Sequence, residues 1–377
     1  MISKNTVLVL GAGASVDYEF PSGEKLIQKI IDFCSGKPNS SEVFNQNLLA
    51  LILHKHFQNN GIKKTLYECY EIVERFRVQL ANANPRSIDD FIASNNTMGF
   101  DIVGKACIVL VISSHESNSN SKFSEGWYRY LWNKIYDGNR EGMKKNLKNL
   151  TIITFNYDRS LEYYLYNRMQ NLFGMTSQQT GKLFNENVVV YHMYGQLGSF
   201  EWQQRDSLVN NYEMIDLKIF KSKDINPESI DFDHRVSFIN SLPQKIVESK
   251  DPKEINQKLE YLLKLTNEIK TYKEVASNTE QVILERFYNA DILFFLGFGY
   301  HEQNLRCLNP QQREVLKPFY GTTYGFGKAQ IDGIQKDIIN IFLKQGGGAG
   351  LDNCFIGKEN SSQYKILDYL KHVCDLN

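Results

Sequence analysis

Short apolar runs separated by amphipathic stretches set the rhythm of this chain. Thr6 to Leu10 joins β-branched residues and leucines and stops at a glycine-rich turn, the pattern of a buried parallel strand feeding a helix. Comparable runs at Leu150–Phe155, Val188–Tyr191, Ile292–Leu296 and Tyr320–Tyr324 predict four more strands, and Ile331–Leu343 predicts a helix. The alternation predicts an α/β fold, a Rossmann-like parallel sheet with helices on both faces.

The second run follows the first by about 140 residues, whereas an ordinary strand-helix-strand crossover takes roughly 30. The intervening segment reads as helical. Leu26, Ile27, Ile30, Ile31 and Cys34 share one face, as do Leu48, Leu49, Ile52, Leu53 and Phe57. Ser87 with Asp90 resembles a capping box, Ala106–Ile112 reads as buried, and Ser113–Ser124 reads as a surface loop. Residues 205–289 break the rhythm again with lysine and glutamate, and Leu259, Leu262, Leu263 and Ile269 suggest a helical hairpin. The predicted organisation is a core of about 1–20, 150–204 and 290–377, a large inserted helical subdomain at 21–149, and a second helical insertion at 205–289. Gly346–Gly350 lacks the Lys-Ser/Thr of a phosphate-gripping loop and reads as a connection.

Composition narrows the classes. At 377 residues the chain exceeds one small core, and 42% hydrophobic with 23% charged residues belongs to a folded protein. Lys plus Arg equals Asp plus Glu at 43 each, so no global positive field draws in nucleic acid or an anionic membrane. No apolar stretch approaches the ~20 residues of a membrane span, and the apolar part at Val7–Leu10 is too short for a secretory signal. The six cysteines include no C-x-x-C pair, so neither a zinc ribbon nor a disulfide framework is legible, and a reducing cytoplasm is the expected setting.

Four turns carry the candidate chemistry. Gly11-Ala12-Gly13-Ala14-Ser15 follows the first strand, where backbone N–H groups and a helix start could hold a pyrophosphate and a Cβ would keep the phosphate away. Val16 replaces the third glycine of the dinucleotide fingerprint, so a plain tight turn fits as well. Thr154-Phe155-Asn156-Tyr157-Asp158 ends the second strand, and Asn156 fits either a ligand crevice or the cap of a helix beginning near Arg159. Tyr191-His192-Met193-Tyr194-Gly195 puts His192 and Tyr194 on one side of an extended segment. Gly297-Phe298-Gly299-Tyr300, followed by His301 and Asn304, is a further glycine turn. All four fall at predicted strand carboxyl ends, which together suggest one pocket.

These motifs, with Ser87–Phe91 (S-I-D-D-F), resemble the sirtuin superfamily, and within it the prokaryotic sirtuin-like NADase branch, in the same order from residue 7 to about 304. The resemblance implies NAD as substrate, bound by Gly11, Ala12, Gly13, Ser15, Asp89, Gly297, Gly299, Tyr300 and Asn304. It implies Asn156, Asp158 and His192 as the catalytic set: His192 as the base, Asn156 holding water and ribose, Asp158 steadying the ribose. Two departures stand out. Tyr194 occupies the slot before the glycine where deacylase sirtuins carry histidine, and the four-cysteine zinc module is missing, so no metal is expected.

The implied reaction is hydrolysis of the nicotinamide–ribose bond to nicotinamide and ADP-ribose, as the NAD-depleting effector of a prokaryotic anti-phage system. A deacylase or ADP-ribosyltransferase, or a non-catalytic NAD or ADP-ribose sensor, is the alternative. The implied partners are further copies of the chain and a regulator such as a HerA-type ATPase or a short Argonaute, with neither membrane nor direct nucleic-acid contact.

Overall fold

The computed structural model describes residues 1–35, 42–95, 97–116, 125–198, 200, 252–276, 279–315, 317–342, 353–358, 361–373 and 376. Five parallel strands form an open sheet: β1 (Thr6–Leu10), β2 (Leu150–Thr154), β3 (Val190–His192), β4 (Ile292–Leu296) and β5 (Phe319–Gly321). Their spatial order is β3-β2-β1-β4-β5, that of the dinucleotide-binding α/β sheets. Every residue of β1 and β2 is buried, because a central parallel strand is covered on both faces.

The register decides where function can sit. Leu10 pairs with Thr154 on one side and with Leu296 on the other, so the three central strands end level. The chain direction across the sheet reverses at β1, with β2 and β3 to one side and β4 and β5 to the other. Residues 11–15, 155–158 and 297–300 therefore leave the sheet at one carboxyl edge, astride the switch point where such sheets take ligands.

Strand limits differ slightly from the sequence reading. Val188 caps the Ser177–Asn187 helix by donating its N–H to Phe184 O, which delays β3 to Val190. Beyond Gly321, Thr322 still bonds Phe295 O, but Phe326 N–H returns to Thr323 O and turns the chain away. Ser113–Glu116 are not loop: they form the last turn of the Phe100–Glu116 helix, and the rest of the predicted loop lies outside the described residues.

The chain divides into two compact units, and their limits differ from those expected. One takes the described residues of Met1–Ser22, Asn118–Asn211 and Tyr272–Asn377 and contains the sheet; the other takes those of Gly23–Ser117 and Tyr212–Thr271. The helices Trp127–Ile135 and Arg140–Lys148, expected in the insertion, thus belong with the sheet. In Trp127–Ile135 the buried residues Trp127, Tyr128, Leu131, Trp132 and Ile135 recur at helical spacing.

Described parts of the second unit form no strand. Its Phe100–Glu116 helix is buried continuously over Ala106–Ile112, and its Leu66–Ala83 helix opens with a reciprocal Thr65–Glu68 capping box. Ser87 caps Ile88–Ser94 by accepting from Asp90 N–H at 3.1 Å. Of the expected hairpin, one helix, Pro252–Glu268, falls in this unit and buries Leu259, Leu262 and Leu263. Residues 205–251 and Gly346–Gly350 lie outside the described residues. The five described cysteines are free and buried, and no described helix is long and apolar enough to cross a membrane.

Candidate functional site

The two glycine turns pack on each other. Gly13 N–H donates to Gly297 O at 2.9 Å, and Gly11 N–H donates to Leu296 O at 3.2 Å. A Cβ at Gly13 would lie 2.8 Å from Gly297, and one at Gly11 would lie 2.7 Å from Gly297 O. Close approach of turn to turn, rather than room for a phosphate, is what demands glycine here. Gly297 is held hardest, with φ +58° and an ideal Cβ position 2.1 Å from Ala14 N. Gly297→Ala should cost about 1–3 kcal/mol or more of stability, read as a lowered chemical-denaturation midpoint. A midpoint equal to wild type would refute the packing argument.

The helix start expected after Gly11 does not form. Ala12–Ala14 and Val16–Tyr18 are successive 3₁₀ turns, and the amides of Ala14 and Ser15 bond Gly11 O and Ala12 O. With the Gly11 and Gly13 amides also committed, at most the Ala12 amide remains for a phosphate.

What the turn contributes is Ser15. Its hydroxyl donates to Asp158 Oδ2 at 2.8 Å and accepts from Asn156 Nδ2 at 3.1 Å. Ser160 donates its hydroxyl to Asp158 Oδ1 and its N–H to the same oxygen at 3.2 Å. Tyr128 hydroxyl lies 2.7 Å from Ser160 Oγ, which accepts from it when the Ser160 proton goes to Asp158. Two directed chains, Asn156→Ser15→Asp158 and Tyr128→Ser160→Asp158, converge on one buried carboxylate. Burial pushes the Asp158 carboxyl up, against the pull of the two serines, and burial raises the Tyr128 phenol strongly.

This network fixes the Asn156 amide. Since Ser15 spends its proton on Asp158, it can only accept from Asn156, so the amide nitrogen faces Ser15 and the oxygen faces away. Asn156 is 8% exposed, and its Oδ1 accepts no hydrogen bond, alone among the buried side-chain nitrogens and oxygens of the described residues. An unsatisfied buried acceptor costs about 1–3 kcal/mol and calls for a functional reason. Asn156 does not cap the Ser160–Phe173 helix, whose N-cap is Arg159 without a side-chain cap bond; Asp158 Oδ1 takes the Ser160 N–H at the helix start.

Behind Asn156 lies a buried charged group. His192 Nδ1 is 2.9 Å from the Asn156 main-chain O, and Nε2 is 2.8 Å from Glu162 Oε1. Arg159 donates Nε to Glu162 at 3.0 Å and Nη1 to Gly198 O at 2.6 Å, with its guanidinium 4.1 Å from the Phe200 ring centroid. Burial alone would raise the Glu162 carboxyl, but the adjacent His192 and Arg159 hold it at about 2. A carboxyl lowered on folding from 4.5 to about 2 contributes stability above pH ~4.5 that is lost as pH falls through about 2. Glu162→Gln should therefore flatten the acid limb of stability between about pH 4.5 and 2, measured by denaturant titration; an unaltered slope would contradict the pairing.

The remaining expected site residues have these places. Tyr194 hydroxyl donates to Asn304 Oδ1, so these two meet, while His192 bonds Asn156 O and Glu162. Tyr300 is buried, with its hydroxyl donating to Thr322 O at 3.1 Å, and thus serves the sheet rather than an open crevice. Gly299 is exposed. Asp89 lies in the first turn of Ile88–Ser94, in the helical unit.

The sequence reading missed Trp127, Tyr128, Arg159, Ser160 and Glu162. Trp127 Nε1 donates to Ala14 O at 2.8 Å, and Tyr128 stacks on Tyr18 with centroids 3.8 Å apart. Asp158-Arg159-Ser160 and Glu162 were legible as a helix start with acids and hydroxyls; nothing local in Trp127–Tyr128 announces its partners. Among the described residues no cluster of His, Cys, Asp or Glu could hold a metal ion.

Set against models of protein families, curated proteins and solved structures, the chain matches none of them.

Proposed function

We propose that the chain hydrolyses NAD at the nicotinamide–ribose bond, giving nicotinamide, ADP-ribose and a proton. The observation that carries this reading is the Asn156 Oδ1, buried without a donor beside the switch point of a parallel sheet. Its support is chemical. The leaving group is already cationic, so it needs no acid, and the transition state gathers positive charge on the ribose. A fixed amide oxygen is the negative end of a dipole, suited to a ribose hydroxyl or to the attacking water. Ser15 and Asp158 hold that oxygen in place, so no reorganisation accompanies the reaction. Phe155, Tyr194 and Phe298, with the Phe155 centroid 5.4 and 5.2 Å from the other two, supply an apolar wall at the same edge.

The resemblance to sirtuin-like NADases supports the same reading and extends it to its setting: NAD depletion in anti-phage defence, with the chain self-assembled and restrained by a HerA-type ATPase or a short Argonaute. Incubation of the purified protein with NAD, followed by chromatography, tests the chemistry. Nicotinamide and free ADP-ribose in equal amounts are expected. ADP-ribose linked to protein or to an acyl group would make the chain a transferase or deacylase, and NAD binding without nicotinamide release would make it a sensor.

A further inference from the structure

His192 is built like the middle member of a catalytic triad, with one difference. Its Nε2 faces Glu162, as a catalytic histidine faces its carboxylate, and Arg159 fixes that carboxylate in turn. In a working triad the opposite ring nitrogen faces the reacting group. Here Nδ1 faces the Asn156 main-chain carbonyl, which can only accept, so Nδ1 carries a proton and donates. Whether or not Nε2 is protonated, it points at Glu162. Both ring nitrogens are thus taken up by oxygens of the protein itself.

The ring instead holds the residue that carries the unpartnered amide. Asn156 lies between β2 and the Ser160–Phe173 helix, outside regular structure. Three bonds fix it: its N–H to Thr154 Oγ1 at 3.0 Å, its Nδ2 to Ser15 Oγ at 3.1 Å, and its main-chain O to His192 Nδ1 at 2.9 Å. We propose that His192 is a positioning residue that aims the Asn156 amide through its main-chain carbonyl, with Glu162 and Arg159 steadying the ring, and is not the base of the reaction.

The proposal rests on the NADase reading for its kinetic test, and on coordinates for a second, separate one. In His192→Asn the new amide nitrogen stands near the Nδ1 position and can donate to Asn156 O, but it takes up no proton. Nicotinamide release by His192→Asn should stay within about tenfold of wild type. His192→Ala should lose about 10²-fold, mostly in kcat, because the amide drifts. A base would make both variants lose a similar 10²–10⁴-fold, and that result overturns the proposal. If His192→Ala does not fold, His192→Asn alone decides by the same criterion.

Crystal structures of the variants give the second test. Asn156 Oδ1 should keep its place in His192→Asn and shift in His192→Ala; an unmoved Asn156 in a folded His192→Ala overturns the proposal. A wild-type chain that releases no nicotinamide refutes the NADase reading alone, and these structures still decide the positioning role.

Discussion

Asn156→Ala is expected to lower nicotinamide release from NAD by about 10²–10³-fold, equivalent to about 2.7–4 kcal/mol of barrier, with the fold intact. The magnitude follows from removing one pre-aimed dipole from a site where charge develops in the transition state. The fold should tolerate the change, because truncation also removes an acceptor that has no donor. Ser15 would lose its Asn156 donor but retain its bond to Asp158. Steady-state kinetics beside a thermal melt separate the two effects: a large fall in kcat with a melting temperature near that of wild type. Equal activity in both proteins would show that the unpartnered oxygen has no part in the reaction.

Glu162→Leu should instead act on the fold, at a cost of about 3–5 kcal/mol in the free energy of unfolding. Arg159 is 1% and Glu162 2% exposed, so the guanidinium would lose its carboxylate in a place that water hardly reaches. His192 would lose the same partner. Glu162→Gln retains hydrogen-bonding capacity and should cost less. Urea titration of the three proteins checks the order wild type, Gln, Leu; a leucine variant as stable as wild type would mean that packing replaces the ion group.

The sheet was legible because its strands are continuous apolar runs. Thr6–Leu10 and Ile292–Leu296 match the structure to the residue, since each is a five-residue apolar run bounded by a polar residue and a glycine turn, unlike the Ala106–Ile112 run inside a helix. Edge strands were less legible: only three residues each of β3 and β5 pair, and helix capping at Val188 sets where β3 begins. The sequence placed Ser15, Asn156 and Asp158 at one carboxyl edge, and they do share a network. Their roles were not legible. The meaning of Gly13 depends on Gly297, far along the chain, and that of His192 on Glu162 and on a carbonyl direction, neither of which any local spacing encodes. The two units divide the chain elsewhere than expected, because helical periodicity in Trp127–Ile135 reports a buried face and not the element that buries it.

The most direct test of the central claim is a crystal structure of the protein with ADP-ribose, the product that retains the ribose. The expected result places a ribose hydroxyl, or a water next to the anomeric carbon, within hydrogen-bond distance of Asn156 Oδ1, with Ser15 and Asp158 unmoved. ADP-ribose bound elsewhere on the chain, with Asn156 Oδ1 still lacking a donor, would contradict it.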